Sequence, residues 1–139
     1  MRRLVLASET AFNTMRIRWR DNVAQPKSLP TQYDNDFSFT QPQNKKWAKI
    51  TIIINATVLK EISAYRVRHT GLMIAGLHDD LGAGDKELLA LFEFINPFFR
   101  NRIEGGITWY QPTLVRVGTD GQWYRLNVNM PFHFDEFHT

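Results

Sequence analysis

The 139-residue chain contains no cysteine. Disulfide bonds and metal sites built from thiolates are therefore excluded. The sequence also lacks an apolar run that approaches the roughly 20 residues of a membrane-spanning helix. The apolar stretch after Arg2 and Arg3 is too short for a signal peptide, and Glu9 follows it closely. These absences lead us to expect a soluble protein that is made in a cytoplasm.

Positive and negative charges nearly balance, with 17 lysine and arginine residues, 14 aspartate and glutamate residues and a net charge of +3. A nucleic-acid-binding domain more often carries a concentrated basic stripe. The basic residues here are spread along the chain, apart from Arg16, Arg18 and Arg20. The charge permits contact with nucleic acid but does not require it. The length predicts a single domain over residues 1–139 with a core of its own.

Two long strands that fold back on each other are predicted for residues 105–132. Apolar and polar residues alternate in the second strand, whose apolar face consists of Tyr124, Leu126, Val128, Met130 and Phe132. Asp120 and Gly121 are the preferred pair for a two-residue turn. This turn sets a register with apolar residues of both strands on one buried face: Val117 opposite Tyr124, Val115 opposite Leu126 and Thr113 opposite Val128.

A second antiparallel pair of strands is predicted upstream. Residues 47–57 alternate around Ile50, Ile52 and Ile54 and are rich in β-branched side chains. A polar bend at residues 59–64 leads to a returning strand at 65–77, in which Gly71 marks a bulge or a bend.

Two helices complete the predicted elements. The first covers residues 4–21, although a start at Ser8 is the alternative because serine is a good N-cap. The second covers residues 85–100, and Pro97 is expected to kink it or to end it near Phe94. The order of helix, two strands, helix and two strands predicts an α+β domain. We expect a mostly antiparallel, mixed sheet of about four to five strands with both helices packed on one face.

The connection at residues 22–43 is unusually long for a compact domain, and such connections are often functional. Residues 29–33 within it are consistent with a short edge strand. Phe37 and Phe39 also lie there. They form either a contact surface or a cover over the edge of the sheet.

No stretch of the sequence specifies a catalytic or metal site. Residues 82–86 lack the spacing and the Lys-Ser or Lys-Thr pair of a phosphate loop. His78, Asp79 and Asp80 could bind a metal, but metal sites need convergent ligands with supporting contacts. A second group consists of His133, Asp135, Glu136 and His138, which we interpret as a solvated tail. No serine has the glycine context of a nucleophile elbow.

Several segments carry a resemblance in their order and spacing. They are Trp19, the Tyr-Asp-Asn step within 30–35, the strand start at 47–51, the stretch 65–71, the Gly-x-Gly-Asp start of the second helix at 82–85 with its end at 99–100, and the final hairpin at 117–124 with 131–132. Together they resemble the tail terminator, or tail-completion, proteins of long-tailed bacteriophages. The acidic stretch 78–80 departs from the more apolar strand end of that family.

The resemblance implies an α+β fold, no catalysis and no cofactor. It implies a homo-hexameric ring that caps the finished tail tube, stops its polymerisation and docks to the head-side connector. The implied partners are other copies of the chain, the tail tube protein and the head–tail connector or neck protein, at the neck end of the tail in the virion. Basic residues in the lumen of such a ring would attract DNA non-specifically.

A ring requires a head-to-tail interface between unlike surfaces. The connection at 22–43 and the bend at 59–64 are suited to it, because both can become ordered on a partner. The contact residues that we predict are Tyr33, Asp34, Asn35, Phe37, Arg66, Arg68 and Arg125. A head-side connector or neck protein is the alternative within the virion. A metal-dependent hydrolase that uses residues 78–80 and a basic nucleic-acid binder are more distant alternatives.

Overall fold

The computed structural model describes residues 8–34, 36–42, 45–63 and 65–137. These residues form two α-helices, one π-helical segment and seven strands. In chain order the elements are α1 (Ser8–Trp19), the π-helical segment (Arg20–Ala24), β1 (Thr31–Tyr33), β2 (Trp47–Glu61), β3 (Arg66–Asp80), α2 (Lys86–Phe99), β4 (Arg102–Glu104), β5 (Ile107–Trp109), β6 (Thr113–Asp120) and β7 (Trp123–Phe137). Neither helix of this described part is long and apolar enough to cross a membrane.

One sheet contains all seven strands in the order β1-β2-β3-β7-β5-β4, and β6 also pairs with β7. The pairing of β1 with β2 is parallel, and the others are antiparallel. The predicted α+β class with a mostly antiparallel, mixed sheet is confirmed, but the prediction of four to five strands is wrong. The prediction missed β4 and β5, which contain three residues each. Such short strands show no alternating pattern in the sequence.

Both helices pack against the same face of the sheet. Their buried side chains are Ala11, Met15, Trp19, Leu88, Leu91, Ile95 and Phe99. The long strands contribute alternate residues to the same cluster, namely Ala48, Ile50, Ile52, Met73, Ala75, Leu77, Leu126, Val128 and Met130. Because side chains alternate between the faces of a strand, the residues between these lie on the opposite face. We call that second face the open face.

α1 begins at Ser8 in the described part, and the predicted residues 4–7 lie outside it. α2 continues to Phe99, close to the predicted range of 85–100, so only the alternative of an end near Phe94 is wrong. Two arginine side chains bind carbonyl oxygens in its last turn. Arg18 Nε donates to Phe98 O at 2.8 Å, and Arg102 Nε donates to Pro97 O at 2.7 Å. These bonds satisfy carbonyls that have no partner within the helix.

The β2–β3 pair is longer than the sequence predicts. β2 continues to Glu61, so the first half of the predicted bend at 59–64 is strand, with Leu59 opposite Val67. The irregularity predicted at Gly71 is confirmed as a shift of register next to it, where Asn55 of β2 is the extra residue. A Cβ atom on Gly71 would lie 2.0 Å from the carbonyl oxygen of Ile53. Glycine is therefore required where the two strands approach each other.

The alternation predicted for β7 is confirmed, but the predicted register of the final hairpin is wrong. The two-residue turn is Gly121-Gln122, because Asp120 pairs with Trp123. Gly121 has a φ of 63°, as the first position of a primed turn requires. A bulge at Val117 then shifts the pairing, so that Leu114, rather than Thr113, lies opposite Val128. Val115 and Val117 are consequently exposed and not buried.

Candidate protein interaction surfaces

A groove lies on the open face, where β2 begins, β3 ends and β7 begins. Its walls include Trp47, His78 and Trp123, and its volume is about 460 Å³. Trp47 and His78 are opposite each other in the β2–β3 pair, and their rings stack at 3.8 Å between centroids. Trp123 meets Trp47 edge to face at 5.9 Å. These three side chains pack against one another and form the floor of the groove.

Arg125 and Lys49 give this groove its positive charge. Arg125 donates to Asn127 Oδ1 at 2.8 Å and to Asp120 Oδ2 at 3.1 Å. A Cβ atom on Gly76 would lie 2.9 Å from the Arg125 side chain, so the guanidinium rests in the space that glycine leaves. Arg125 was predicted as a contact residue, and the structure places it in the groove. Whether it contacts a partner stays a prediction.

The buried imidazole of His78 keeps the groove floor uncharged at neutral pH. Burial, together with the positive charge of Arg125, lowers the pKa of His78 to about 4. Asp79 lies on the other face of the strand and accepts a hydrogen bond from the Asp80 backbone at 2.8 Å. Among the described residues, no group of three or more histidine, aspartate or glutamate side chains could hold a metal. Residues 78–80 therefore do not converge as the metal hypothesis requires.

Arg66 and Arg68, two further predicted contact residues, form ion pairs at the other end of the open face. Arg66 Nη1 donates to Asp135 Oδ2 at 2.9 Å, and Arg68 Nε donates to Asp135 Oδ1 at 2.8 Å. The hydrogen bond from Arg68 is the main reason why the pKa of Asp135 is lowered. Residues 133–137 belong to β7, so the interpretation of this region as a solvated tail is wrong. His138 lies outside the described residues.

The predicted contact residues of the long connection divide between partly buried and exposed positions. Tyr33 belongs to β1 and packs against the core, and burial raises its pKa. Asp34 Oδ2 accepts a hydrogen bond from the Ile52 backbone at 3.1 Å. Phe37 is 92% exposed, whereas the Phe39 ring packs on Trp47 at 5.4 Å. Asn35 lies outside the described residues. Of the two phenylalanine residues in this segment, Phe37 has the exposure that a contact role requires.

The turn between β2 and β3 forms a second exposed surface, within the bend that the sequence analysis named as suited to a ring interface but described as polar. It carries Val58, Leu59, Ile62 and Tyr65, all of them exposed, and we call these four residues the hairpin tip. The three large apolar residues within 59–65 could have indicated an exposed apolar surface from the sequence. Exposed apolar groups of this size often mark sites of protein–protein contact.

Comparison with known proteins identifies a family for this fold. A family model described as phage tail terminator protein matches residues 11–132. Among proteins of known structure, one chain has a TM-score of 0.61 and 15% sequence identity over 92% of this chain and 97% of its own length. That similarity indicates a shared fold. No curated protein sequence matches. Because the family model spans most of the sequence, the chain belongs to the phage tail terminator proteins.

Proposed function

We propose that this protein caps the completed phage tail tube, stops its polymerisation and provides the docking surface for the head-side connector. The observation that carries the proposal is the family match over residues 11–132. Membership of that family gives the chain a structural role in the phage tail. Capping and docking go further, since they specify what the chain contacts at each side of the joint.

The two unlike faces of the sheet support a role between two different partners. α1 and α2 cover one face, whereas the open face carries the groove and the ion pairs around Asp135. A subunit that joins the tube on one side and a connector on the other needs two such surfaces. We further propose that six copies form the ring and that DNA passing through it makes only non-specific contacts, which salt would weaken.

Tube assembly in the presence of the purified chain tests this proposal. Tail tube protein would be polymerised with and without the chain, and tube lengths would be measured by electron microscopy. We expect tubes that stop growing once the chain is bound at one end. Tubes that grow equally well with the chain present would contradict the capping function.

A variant pair connects this assay to the exposed aromatic residue of the long connection. Phe37→Ser removes a side chain that is 92% exposed and should weaken capping without loss of folding. Thr40→Ser, at an exposed position nearby, is the matched control. Immunogold labelling of intact particles addresses the alternative function, because label on the head side of the joint would identify a neck protein instead.

A further inference from the structure

Two different exposed surfaces lie at opposite ends of the same three long strands. The groove lies where β2 begins, and the hairpin tip lies where this strand of 15 residues ends. At about 3.3 Å per residue, the two surfaces are roughly 45 Å apart. A tip can therefore not reach the groove of its own chain. In a ring, however, each copy must present one surface to the neighbour ahead and a different one to the neighbour behind.

Tyr65 gives the hairpin tip an exposed aromatic side chain. Its side chain is 58% exposed, beside Ile62 at 76%. The backbone of Tyr65 has a φ of 46°, in the left-handed region that bulky residues rarely adopt. Conformations of this kind are maintained where the surrounding structure enforces them, often at functional sites. The ring thus projects from a short turn, as a contact residue would.

The groove complements a tyrosine in both size and charge. Its volume of about 460 Å³ lies within the range of sites that enclose small ligands. The faces of an aromatic ring are negative and attract cations, and the groove provides Arg125 and Lys49. Within the described residues, no hydrogen bond or ion pair engages the Lys49 ammonium group. The carboxylate of Asp120 can accept a hydrogen bond from the phenol at the end of the ring.

We propose that the hairpin tip of one copy inserts Tyr65 into the groove of the next copy, where its ring contacts Arg125 and Lys49. This inference rests on the proposed function, since it supplies the contact between neighbours in the ring. It assigns to each subunit a site that is complete only when a second copy fills it. Asp120 and Asn127 already hold the Arg125 guanidinium in place. Its charge would therefore be oriented before the Tyr65 side chain of the next copy enters the groove.

Single-cysteine variants test this contact cleanly, because the chain has no cysteine of its own. Ser63→Cys places a thiol in the turn of the tip, and Gln122→Cys places one at the rim of the groove. Both positions are exposed turn residues. A mixture of the two variants, treated with a short bis-maleimide in the presence of tube protein, should give a cross-linked dimer. Neither variant alone should do so. The double variant should give a ladder that ends at the size of the ring.

Other cross-linking results would overturn the inference. A dimer from either variant alone would indicate a symmetric contact, and a product of Ser63→Cys with tube protein would assign the tip to the tube. Rings that form by sedimentation but yield no mixed dimer would refute the tip–groove contact while the capping function stands. A mixed dimer with no effect on tube length would support the tip–groove contact and refute the capping function. A chain that stays monomeric beside tube ends contradicts both.

A substitution at the tip provides an independent measurement. Tyr65→Asn removes the ring and keeps a residue that tolerates positive φ, so that the turn should still fold. We expect self-association, measured by sedimentation equilibrium, to weaken at least tenfold. Ile103→Ala is the matched control, because Ile103 of β4 is 77% exposed but lies away from both surfaces. Equal association of Tyr65→Asn and the unaltered chain would refute the role of the Tyr65 side chain in the contact.

Discussion

Replacing Gly71 by alanine should destabilise the protein more than any comparable change at a glycine on the same strand. The added Cβ atom would lie 2.0 Å from the Ile53 carbonyl oxygen and 3.0 Å from the Phe132 ring. The oxygen belongs to the backbone of β2 and the ring to the core, so neither can move aside easily. Forcing atoms into a packed site costs typically 1–3 kcal/mol. We expect a loss of about 2–3 kcal/mol for Gly71→Ala.

Gly76→Ala is the matched control on β3. Its Cβ atom would meet the Arg125 guanidinium at 2.9 Å, which is the far end of a flexible side chain and can swing away. The expected loss of stability is below about 1 kcal/mol, comparable to one hydrogen bond of Arg125. The same glycine-to-alanine change therefore separates a clash with fixed backbone from a clash with a mobile group.

Urea unfolding monitored by circular dichroism measures both variants on one scale, with similar m-values expected. At an unfolding entropy of about 2.1 cal/mol/K per residue, 1 kcal/mol corresponds to roughly 3 °C in this chain. Gly71→Ala should therefore melt about 7–10 °C below the unaltered protein. Equal unfolding midpoints for the two variants would refute the close approach of β2 and β3 at this point.

Four further variants probe the groove, the final hairpin and the end of α2. Because the pKa of His78 is lowered to about 4 by burial, the unfolded chain takes up a proton first as pH falls from about 6.5, and up to roughly 3 kcal/mol of stability should be lost by about pH 4. His78→Phe should remove most of that pH dependence in urea unfolding between pH 7 and pH 4, whereas an unchanged slope would show that His78 is not responsible. Leu114→Ala should lower the free energy of unfolding by about 1–2 kcal/mol and Val115→Ala by less than about 0.5 kcal/mol, because only Leu114 packs on the core. A larger loss for Val115→Ala than for Leu114→Ala would support the register predicted from sequence instead. Arg18→Ala removes the hydrogen bond to Phe98 O and should speed amide exchange in the last turn of α2 by about tenfold, and unchanged exchange there would contradict the bond's role.

The sequence was most informative where a long element has one buried and one exposed face. The alternation of β7 and the period of α2 predicted both elements and most of their buried residues, because burial imposes those periods on the sequence. The final hairpin shows the limit of the approach. A preferred Asp-Gly pair was available, but Gly121 took the first turn position and Val117 became a bulge, which exchanged the faces of β6.

The candidate surfaces depend on contacts between residues far apart in the chain, and single-sequence patterns do not report these. Arg66 and Arg68 look like free surface charges until β7 places Asp135 beside them. The groove combines the ends of three strands, and only Arg125 of its residues was predicted as a contact. Trp47 and Trp123 each occupy the first position of a strand. Large aromatic residues at these two positions could have indicated the groove from the sequence.

The position of β7 has a consequence for synthesis. It is the final strand in the sequence, yet it lies between β3 on one side and β5 and β6 on the other. At about 5–20 residues per second, a ribosome needs roughly 3–11 seconds to extend the chain from Asp80 to Phe137. During that interval β3 has a neighbour on one side only. Trp123 and Arg125 of β7 line the groove, so the groove is incomplete throughout that interval.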